Sequence, residues 1–353
     1  MKKQLRLSVA VIIFTALIFT SCKKDDEKVP TNIDKTELQA LYDDALALHN
    51  GAVEGTIAGQ YAAGSKATFK IVIDAAKSVI DDEYTSLETV AAITTQLTNA
   101  MEVFMTREIQ PVSAEYLIAQ WLFNGDATDA SGNGHDGVLK SGHTNFYDAG
   151  SSLVPALVTD RFGNAQSAYY FDKGANIEVP YSSKLNPSSE LSISVWIKAE
   201  SQDNNDYIIS LDRWIGYKLN LQSEDKLYFT IRKQTDPETW EFVCDDDSNP
   251  FTVNTNVWTH VAVSYDNAGI IKFFANGELV REIADRGVTG DLMTVTKNLV
   301  IGQQLPTDDY ILEEPDAADG YFKGTMDDLR MYNKSLTDAE ALSIYTLENA
   351  EKQ

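Results

Sequence analysis

Short alternating strands separated by turns constrain the fold of this chain more than any other feature. From Tyr116 to about Leu347, short apolar and β-branched runs follow one another without helical periodicity, and Gly, Asn and Asp separate them. The unit WTHVAVSYDNAGIIKFFANGELV (258–280) contains two such runs and the dipeptide Asn276-Gly277, which is typical of a tight hairpin turn. Strands this frequent, without helices between them, predict an antiparallel β-sandwich of the jelly-roll kind.

Residues inside these strands are interpreted first as packing residues. Neither face of the strand that contains His260 is strongly polar, so this strand is predicted to lie between two layers. We therefore expect His260 to fill space and to form a hydrogen bond rather than to catalyse. Trp121, Trp196 and Trp258 also fall within predicted strands and are assigned to the core.

Residues 36–110 have a helical pattern instead. Apolar residues recur there at spacings of three and four, and TSLE (85–88) has the pattern of a capping box. Helices of this length bury their apolar stripes against one another, which predicts a three-helix bundle. A further helix is predicted at the C-terminal end, from Thr337 to Glu348.

Part of this helical region also resembles a known module. The stretch EGTIAGQYAAGSKATFKIVIDAA (54–76) is similar to the FIVAR-type helical modules found beside carbohydrate-active domains in surface proteins. The resemblance implies either a spacer that holds the next domain off a membrane or an accessory binding module.

Residues 1–21 are predicted to be a lipoprotein signal peptide. Basic residues precede an apolar run that is shorter than the roughly 20 residues needed to cross a bilayer. The run ends at Ser21-Cys22, which resembles the bacterial lipobox and implies a lipid on Cys22; an ordinary signal peptide is the alternative. In the tether that follows (22–35), KKDDE (23–27) resembles the tag of lipoproteins on the outer face of Gram-negative outer membranes, or is a solvated charge run.

The charge balance disfavours two classes of partner. Acidic residues outnumber basic ones, 53 against 29, which gives a net charge of −24. Binding to phosphate requires clustered Lys and Arg, so neither nucleic acid nor an anionic membrane surface is an expected partner. Only Cys22 and Cys244 occur, so acylation of Cys22 would leave no intrachain disulfide.

Seven motifs in residues 116–347 carry a resemblance to the LamG-like jelly-roll family, which has the concanavalin A-like lectin/glucanase fold. In order they are LIAQWLFNGDATDASGNGHDG, YYFDKGANIEVPYSSKLN, LSISVWIKA, WTHVAVSYD, FFANGELV, LVIGQQ and FKGTMDDLRMYNKSLTDAEALSIY. The resemblance implies one such domain over residues 111–353. Because this scaffold hosts lectins, glycan-binding modules, adhesins and hydrolases, the fold alone does not fix the function.

The loop NGDATDASGNGHDG (124–137) is a candidate calcium site. It is rich in carboxylates, amides and exposed carbonyls, and calcium takes about 6 to 8 oxygen ligands. The family resemblance implies that this loop meets the strand GTMDD (324–328) around one structural calcium ion. The implied ligands are Asp126, Asp129, Asn133, Asp328 and, through its backbone oxygen, His135. The alternative is a hydrogen-bonded turn that closes the sandwich.

Trp214 is the candidate aromatic residue of a glycan site. It lies at a turn between two predicted strands, beside Asp212 and Arg213, and Tyr217 and Arg232 are predicted on the same rim. Sugar sites combine an aromatic ring with a few polar groups that fix the orientation of the ligand. A Trp214 ring folded back onto the edge of the sandwich is the alternative.

Catalysis is not expected. Glycosidases on this fold place three acidic residues along one strand as E-x-D-x-x-E, and no such triplet occurs. The sequence therefore favours a non-catalytic, carbohydrate-binding lipoprotein at the cell surface of a Gram-negative bacterium, capturing glycans for the proteins of a polysaccharide-uptake system. The alternatives are an adhesin for a host or matrix protein or glycan, and, less favoured, a glycoside hydrolase.

Overall fold

A computed structural model of the chain describes residues 32–142, 153–200, 206–213, 215–234, 242–244, 251–284, 291–309 and 320–350. The predicted signal peptide, Cys22, most of the acidic tether and Trp214 lie outside these residues. None of the helices in these ranges combines the length and the hydropathy needed to cross a membrane.

Three helices form the N-terminal part: α1 (Thr36–Gly51), α2 (Ser65–Asp81) and α3 (Leu87–Met105). They enclose one apolar core made by Leu38, Ala45, Ala52, Phe69, Ile73, Ala76, Val90, Ile93, Leu97 and Phe104. The predicted three-helix arrangement is confirmed.

The predicted capping box at the start of α3 is wrong by one residue. The N-cap is Ser86, whose hydroxyl oxygen accepts a hydrogen bond from the Thr89 backbone N–H, because the helix begins at Leu87. Ser86 therefore takes the role that the pattern gave to Thr85, and Thr89 rather than Glu88 stands at the third helical position.

The remaining elements are strands and one C-terminal helix. The strands are β1 (Leu117–Trp121), β2 (Val138–Lys140), β3 (Ala156–Val158), β4 (Ala168–Phe171), β5 (Asn176–Val179), β6 (Leu191–Ala199), β7 (Asp206–Leu211), β8 (Tyr217–Gln222), β9 (Lys226–Arg232), β10 (Phe242–Cys244), β11 (Thr259–Tyr265), β12 (Ile270–Ala275), β13 (Glu278–Ala284), β14 (Leu299–Ile301) and β15 (Gly324–Tyr332). Helix α4 spans Asp338–Asn349 and begins with a full capping box between Thr337 and Glu340.

The strands form two antiparallel sheets. The eight-stranded sheet has the order β13-β12-β11-β6-β15-β4-β3, with β1 also paired to β15; the seven-stranded sheet has the order β10-β9-β8-β7-β14-β5-β2. Alternate residues of both sheets point inward and fill one core, which includes Trp121, Val195, Phe229 and Phe273. The predicted β-sandwich is confirmed.

Two details of the strand assignment have different outcomes. Trp121 and Trp196 are buried as predicted. The assignment of Trp258 to the core is wrong, because this residue precedes β11 and its side chain is half-buried.

The predicted hairpin turn is confirmed: Asn276 and Gly277 both have positive φ angles, of 49° and 78°. A Cβ atom on Gly277 would lie 3.0 Å from the Leu342 backbone, so α4 packs directly on this turn.

Candidate functional site

The outward face of the eight-stranded sheet is covered by α4. His260 lies there, fully buried, and its Nε2 atom is 2.9 Å from the Ser194 hydroxyl. Burial, and after it the nearby guanidinium groups of Arg330 and Arg161, lower the pKa of His260 to about 3, so the imidazole is neutral. The prediction that His260 packs and forms a hydrogen bond is confirmed.

Charged side chains fix the end of α4 on this face. The Trp196 indole N–H donates to Glu348 Oε2 at 2.8 Å, and Arg330 Nε lies 2.8 Å from Glu348 Oε1. Arg161 pairs with Asp327 and Asp328, with 2.6 Å between Arg161 Nη2 and Asp328 Oδ2. The same guanidinium donates to the backbone carbonyl of Glu348 at 2.7 Å.

The loop predicted to bind calcium is closed by hydrogen bonds. The Asp129 carboxylate accepts from the backbone N–H groups of Gln120 (3.0 Å), Ser131 (2.9 Å) and His135 (3.0 Å). Burial opposes ionisation of Asp129, but these hydrogen bonds dominate and lower its pKa. The Trp121 indole N–H donates to the His135 carbonyl at 2.8 Å. The loop thus has the hydrogen bonds expected of a turn that closes the sandwich.

The remaining predicted calcium ligands are placed as follows. Asn133 donates its amide N–H groups to backbone carbonyls of β1, and Asp126 accepts from the Thr128 backbone N–H at 2.9 Å. Asp328 does not join this loop, because its carboxylate pairs with the Arg161 guanidinium, whose positive charge opposes a cation. Within the described ranges, no group of three or more His, Cys, Asp and Glu side chains is placed to hold a metal ion. The five predicted residues therefore do not fit one shared calcium ion in this arrangement, and calcium binding stays a prediction.

The outward face of the seven-stranded sheet is polar. In β8, Tyr217, Leu219 and Leu221 point into the core, so Lys218 and Asn220 point outward. The register places polar residues of β7 and β9 beside them. We name this surface the polar sheet face; it consists of Tyr207, Ser210, Lys218, Asn220, Tyr228, Thr230 and Arg232.

Lys218 lies at the centre of the polar sheet face. Its Nζ atom is 4.9 Å from the ring centroid of Tyr207 and 5.5 Å from that of Tyr228, and it donates to the Tyr207 hydroxyl at 3.2 Å. Burial raises the pKa of Tyr207 to about 12, so this phenol remains protonated. Lys218 is 1% exposed, whereas Tyr228 is half-buried and reaches the surface. The ammonium group therefore holds two aromatic rings in place through cation–π contacts.

Thr230 adds an unusual feature to the polar sheet face. Its side chain is 0% exposed, and its hydroxyl oxygen has no hydrogen-bond partner among the described residues. Buried hydroxyl groups are normally satisfied, so an unsatisfied one suggests a place for a water molecule or a ligand group. Arg232 follows on the same strand and also points outward.

Arg213 and Asp212, which precede Trp214 in the sequence, both have partners among the described residues. Arg213 is half-buried; its backbone N–H donates to Ser210 Oγ at 3.0 Å, and its guanidinium donates to Gln304 Oε1 at 2.6 Å. Asp212 is paired with Lys297 at 3.3 Å. Arg213 therefore adjoins the polar sheet face through Ser210, and Arg232 belongs to that face.

The prediction that Tyr217 lies on a rim is wrong. The alternation of β8 turns its ring into the core, where its hydroxyl donates to the Leu185 carbonyl at 2.7 Å, and burial raises its pKa. The sequence reasoning also missed Tyr207, Lys218 and Tyr228. The signal was present, since YKLNL and LYFTIR alternate apolar residues with Lys, Asn, Tyr and Thr on neighbouring strands.

A family comparison supports the fold of the C-terminal region. Residues 171–341 match the laminin G model described as the concanavalin A-like lectin/glucanases superfamily. The match begins at the end of β4 and ends within α4. Residues 117–121 lie outside the match, but they pair with β15 and so belong to the same sandwich. No curated protein matches the chain.

The sandwich is similar to several solved structures. Domain 4 of AbnA, an extracellular arabinanase from Geobacillus stearothermophilus, solved with arabinotriose, is 21% identical with a TM-score of 0.46, over 65% of this chain and 98% of that one. The binding domain of Paraclostridial Mosquitocidal Protein 1 is 13% identical with a TM-score of 0.47, over 66% and 52%. The botulinum neurotoxin serotype D ligand binding domain with N-acetylneuraminic acid is 17% identical with a TM-score of 0.45, over 67% and 52%.

Proposed function

We propose that residues 116–347 bind a carbohydrate without cleaving it. The observation that carries this proposal is the polar sheet face, on which aromatic, amide, hydroxyl and cationic side chains stand side by side on three neighbouring strands. Carbohydrate sites need this combination, because a sugar offers an apolar C–H face to a ring and hydroxyl groups to donors and acceptors.

The exposed members of the site contact the sugar and the buried members position them. Tyr228 and Arg213 are half-buried and can be reached by a ligand. Lys218 fixes the Tyr228 ring from below, while Gln304 fixes the Arg213 guanidinium. Such preorganisation lowers the entropy lost when the ligand binds. Trp214, outside the described residues, remains the proposed second stacking ring because it adjoins Arg213 in sequence.

The proposal of binding without cleavage rests on the sequence, which lacks the acidic triplet E-x-D-x-x-E. A glycosidase needs two carboxyl groups, about 5 to 9.5 Å apart, on one cleft. Among the described side chains that point outward from the seven-stranded sheet, that of Glu178 in β5 carries a carboxylate. It accepts hydrogen bonds from the Thr307 backbone N–H at 2.8 Å and the Asn298 amide at 3.1 Å, which gives it a structural role.

We further propose that the chain is a lipoprotein of the outer-membrane surface that passes glycans to an uptake system. The support is the sequence alone: the apolar run that ends at Ser21-Cys22 and the acidic tether after it. Labelling with a fatty-acid probe should mark the protein, and Cys22→Ser should abolish the label. Protease treatment of intact cells tests surface exposure separately, and label that survives in Cys22→Ser would contradict the anchor.

The test of glycan binding uses the protein without residues 1–22. We expect retention on one or more polysaccharide affinity gels or glycan-array features, with no reducing ends released from the bound polysaccharide. Tyr228→Ala and, separately, Trp214→Ala should reduce retention. Tyr84→Ala is the matched control, because Tyr84 is 47% exposed on the helical module. Released reducing ends would show an enzyme, and full retention by both variants would place the site elsewhere.

A further inference from the structure

We propose that a cavity at the edge of the sandwich is a second binding site, which takes one neutral sugar residue. This edge cavity lies between the segment leading into β1, the loop after β5 and the turn after β15, and has a volume of about 470 Å³. That volume falls within the range of small-molecule sites, about 300 to 1,000 Å³. No residue of the polar sheet face lines it, so the two sites are separate.

The edge cavity gathers side chains with unused hydrogen-bonding capacity. The polar side chains that line it are those of Glu115, Asn133, Lys184, Ser188, Ser189 and Asn333. Asn133 spends its amide N–H groups on the carbonyls of Leu117 (2.9 Å) and Ile118 (3.0 Å), which leaves its side-chain oxygen as an acceptor towards a ligand. Glu115 and Lys184 form no ion pair with any described residue.

The composition of the wall selects a neutral ligand that carries hydroxyl groups. One carboxylate and one ammonium group balance each other, so the cavity has no net charge to attract an ion. Hydroxyl groups both donate and accept, and they can therefore satisfy Glu115 and Lys184 at the same time. The apolar parts of the wall, Leu117, Ile118 and Pro187, can contact the C–H face of a pyranose or furanose ring.

The wall is held in place by the fold. β1 pairs with β15, and the Asn333 backbone N–H donates to the Tyr116 carbonyl at 2.9 Å. The carbonyl of Ser188 accepts from the Leu292 backbone N–H at 2.7 Å. Segments distant in sequence are thus fixed around one space before a ligand arrives. Two sites on one domain would raise the avidity for a polysaccharide that presents many sugar units.

The experiment uses residues 23–353 and five probe sugars at millimolar concentration: the methyl glycosides of glucose, galactose, mannose, arabinose and N-acetylglucosamine. Saturation-transfer NMR reports contact with the protein. We expect at least one probe to bind, with affinity at least tenfold lower in Lys184→Ala and in Asn333→Ala. Lys323→Ala is the control, since Lys323 is a partly exposed lysine outside the cavity, paired with Glu200.

The outcomes separate this proposal from that of the polar sheet face. Binding that persists in Tyr228→Ala but falls in Lys184→Ala and Asn333→Ala supports the edge cavity, whatever happens to polysaccharide retention. Unchanged binding in both cavity variants, or no binding of any probe by the unaltered protein, overturns it.

Discussion

The two sheets turn opposite kinds of surface outward. On the eight-stranded sheet, Trp196, His260 and Arg330 lie beneath α4, and the described contacts join them to one another or to the helix. On the seven-stranded sheet, polar residues of the same general types point away from the core; most of their side chains are buried, and Tyr228 is partly exposed. Both faces combine rings with charges, and on the first the described partners include side chains of α4.

This difference shows how to separate structural from functional polar groups in one fold. Beneath α4, each charge has a partner on another element, so its removal should lower stability. On the polar sheet face, the Tyr228 ring is partly exposed, and the Thr230 hydroxyl has no hydrogen-bond partner among the described residues. Removal of a ring there should lower binding instead.

The largest expected effect is on the side of α4. Arg161→Leu removes the cation that pairs with Asp327 and Asp328 and that donates to the Glu348 carbonyl. Breaking one side of a buried ion cluster leaves uncompensated charge and costs about 3 to 5 kcal/mol. Urea unfolding should show this loss in the free energy of unfolding. Arg107→Leu is the control: its pair with Glu278 lies at the surface and is worth about 0 to 1 kcal/mol. Equal losses in both variants would contradict the distinction.

The loop that closes the sandwich should be the next most sensitive place. Asp129→Ala removes the acceptor of three backbone N–H groups, those of Gln120, Ser131 and His135. With about 1 kcal/mol for each hydrogen bond, the free energy of unfolding should fall by about 3 kcal/mol. We expect this loss even in excess chelator, because it does not depend on a metal.

The same unfolding experiment tests calcium. A bound ion at a hundredfold excess over its Kd stabilises the folded state by about 2.7 kcal/mol, so chelation of the unaltered protein would show that loss. Thr128→Ala is a neighbouring control in the same loop. If Asp129→Ala is as stable as the unaltered protein when both are measured in excess chelator, the hydrogen-bonded account of the loop is wrong.

Glu348 predicts how stability changes with pH. Its pKa is raised to about 7. Burial is the largest cause; Arg330 opposes it, Asp328 adds to it, and Arg161 and the Trp196 N–H oppose it. A folded-state pKa above the ordinary value of 4.5 means that the folded protein holds this proton more tightly. Its contribution to stability is therefore complete below about pH 4.5 and is lost as pH rises to about 7.

A comparison with Glu348→Gln isolates this effect. The variant cannot titrate at this position, so the difference in free energy of unfolding between the two proteins should change across this window, by about 3 kcal/mol at most. His260, Tyr345 and Asp327 lie near the same cluster and are common to both proteins. A constant difference from pH 4.5 to 7 would contradict the raised pKa.

The sequence could predict the sandwich, the three helices and α4, because strand alternation, turn dipeptides and apolar stripes are local signals. It could not predict that Asp328 pairs with Arg161, because the two residues are 167 positions apart in the sequence and meet only through packing of the folded chain. It assigned Tyr217 to a rim because the turn before β8 was visible, but the direction of each side chain depends on register. Asp212 and Arg213 adjoin Trp214 in one turn and are visible locally, whereas the polar sheet face forms only where three strands align.

The comparison between the faces is sharpest for two aromatic rings. Trp196→Ala should lower the free energy of unfolding by about 3 to 5 kcal/mol, because the ring is buried against Tyr345. Tyr228→Ala should change it much less, since that side chain is only partly buried. For glycan binding we expect the reverse. Truncation of a stacking ring commonly costs about 2 kcal/mol, so Tyr228→Ala should lose about 30-fold in affinity. Trp196→Ala should keep the affinity of the unaltered protein at temperatures where it stays folded. Calorimetric titration with the polysaccharide found in the retention screen measures both affinities. If Tyr228→Ala lost stability as Trp196→Ala does and kept its affinity, the polar sheet face would be a second packed surface and the glycan site would lie elsewhere.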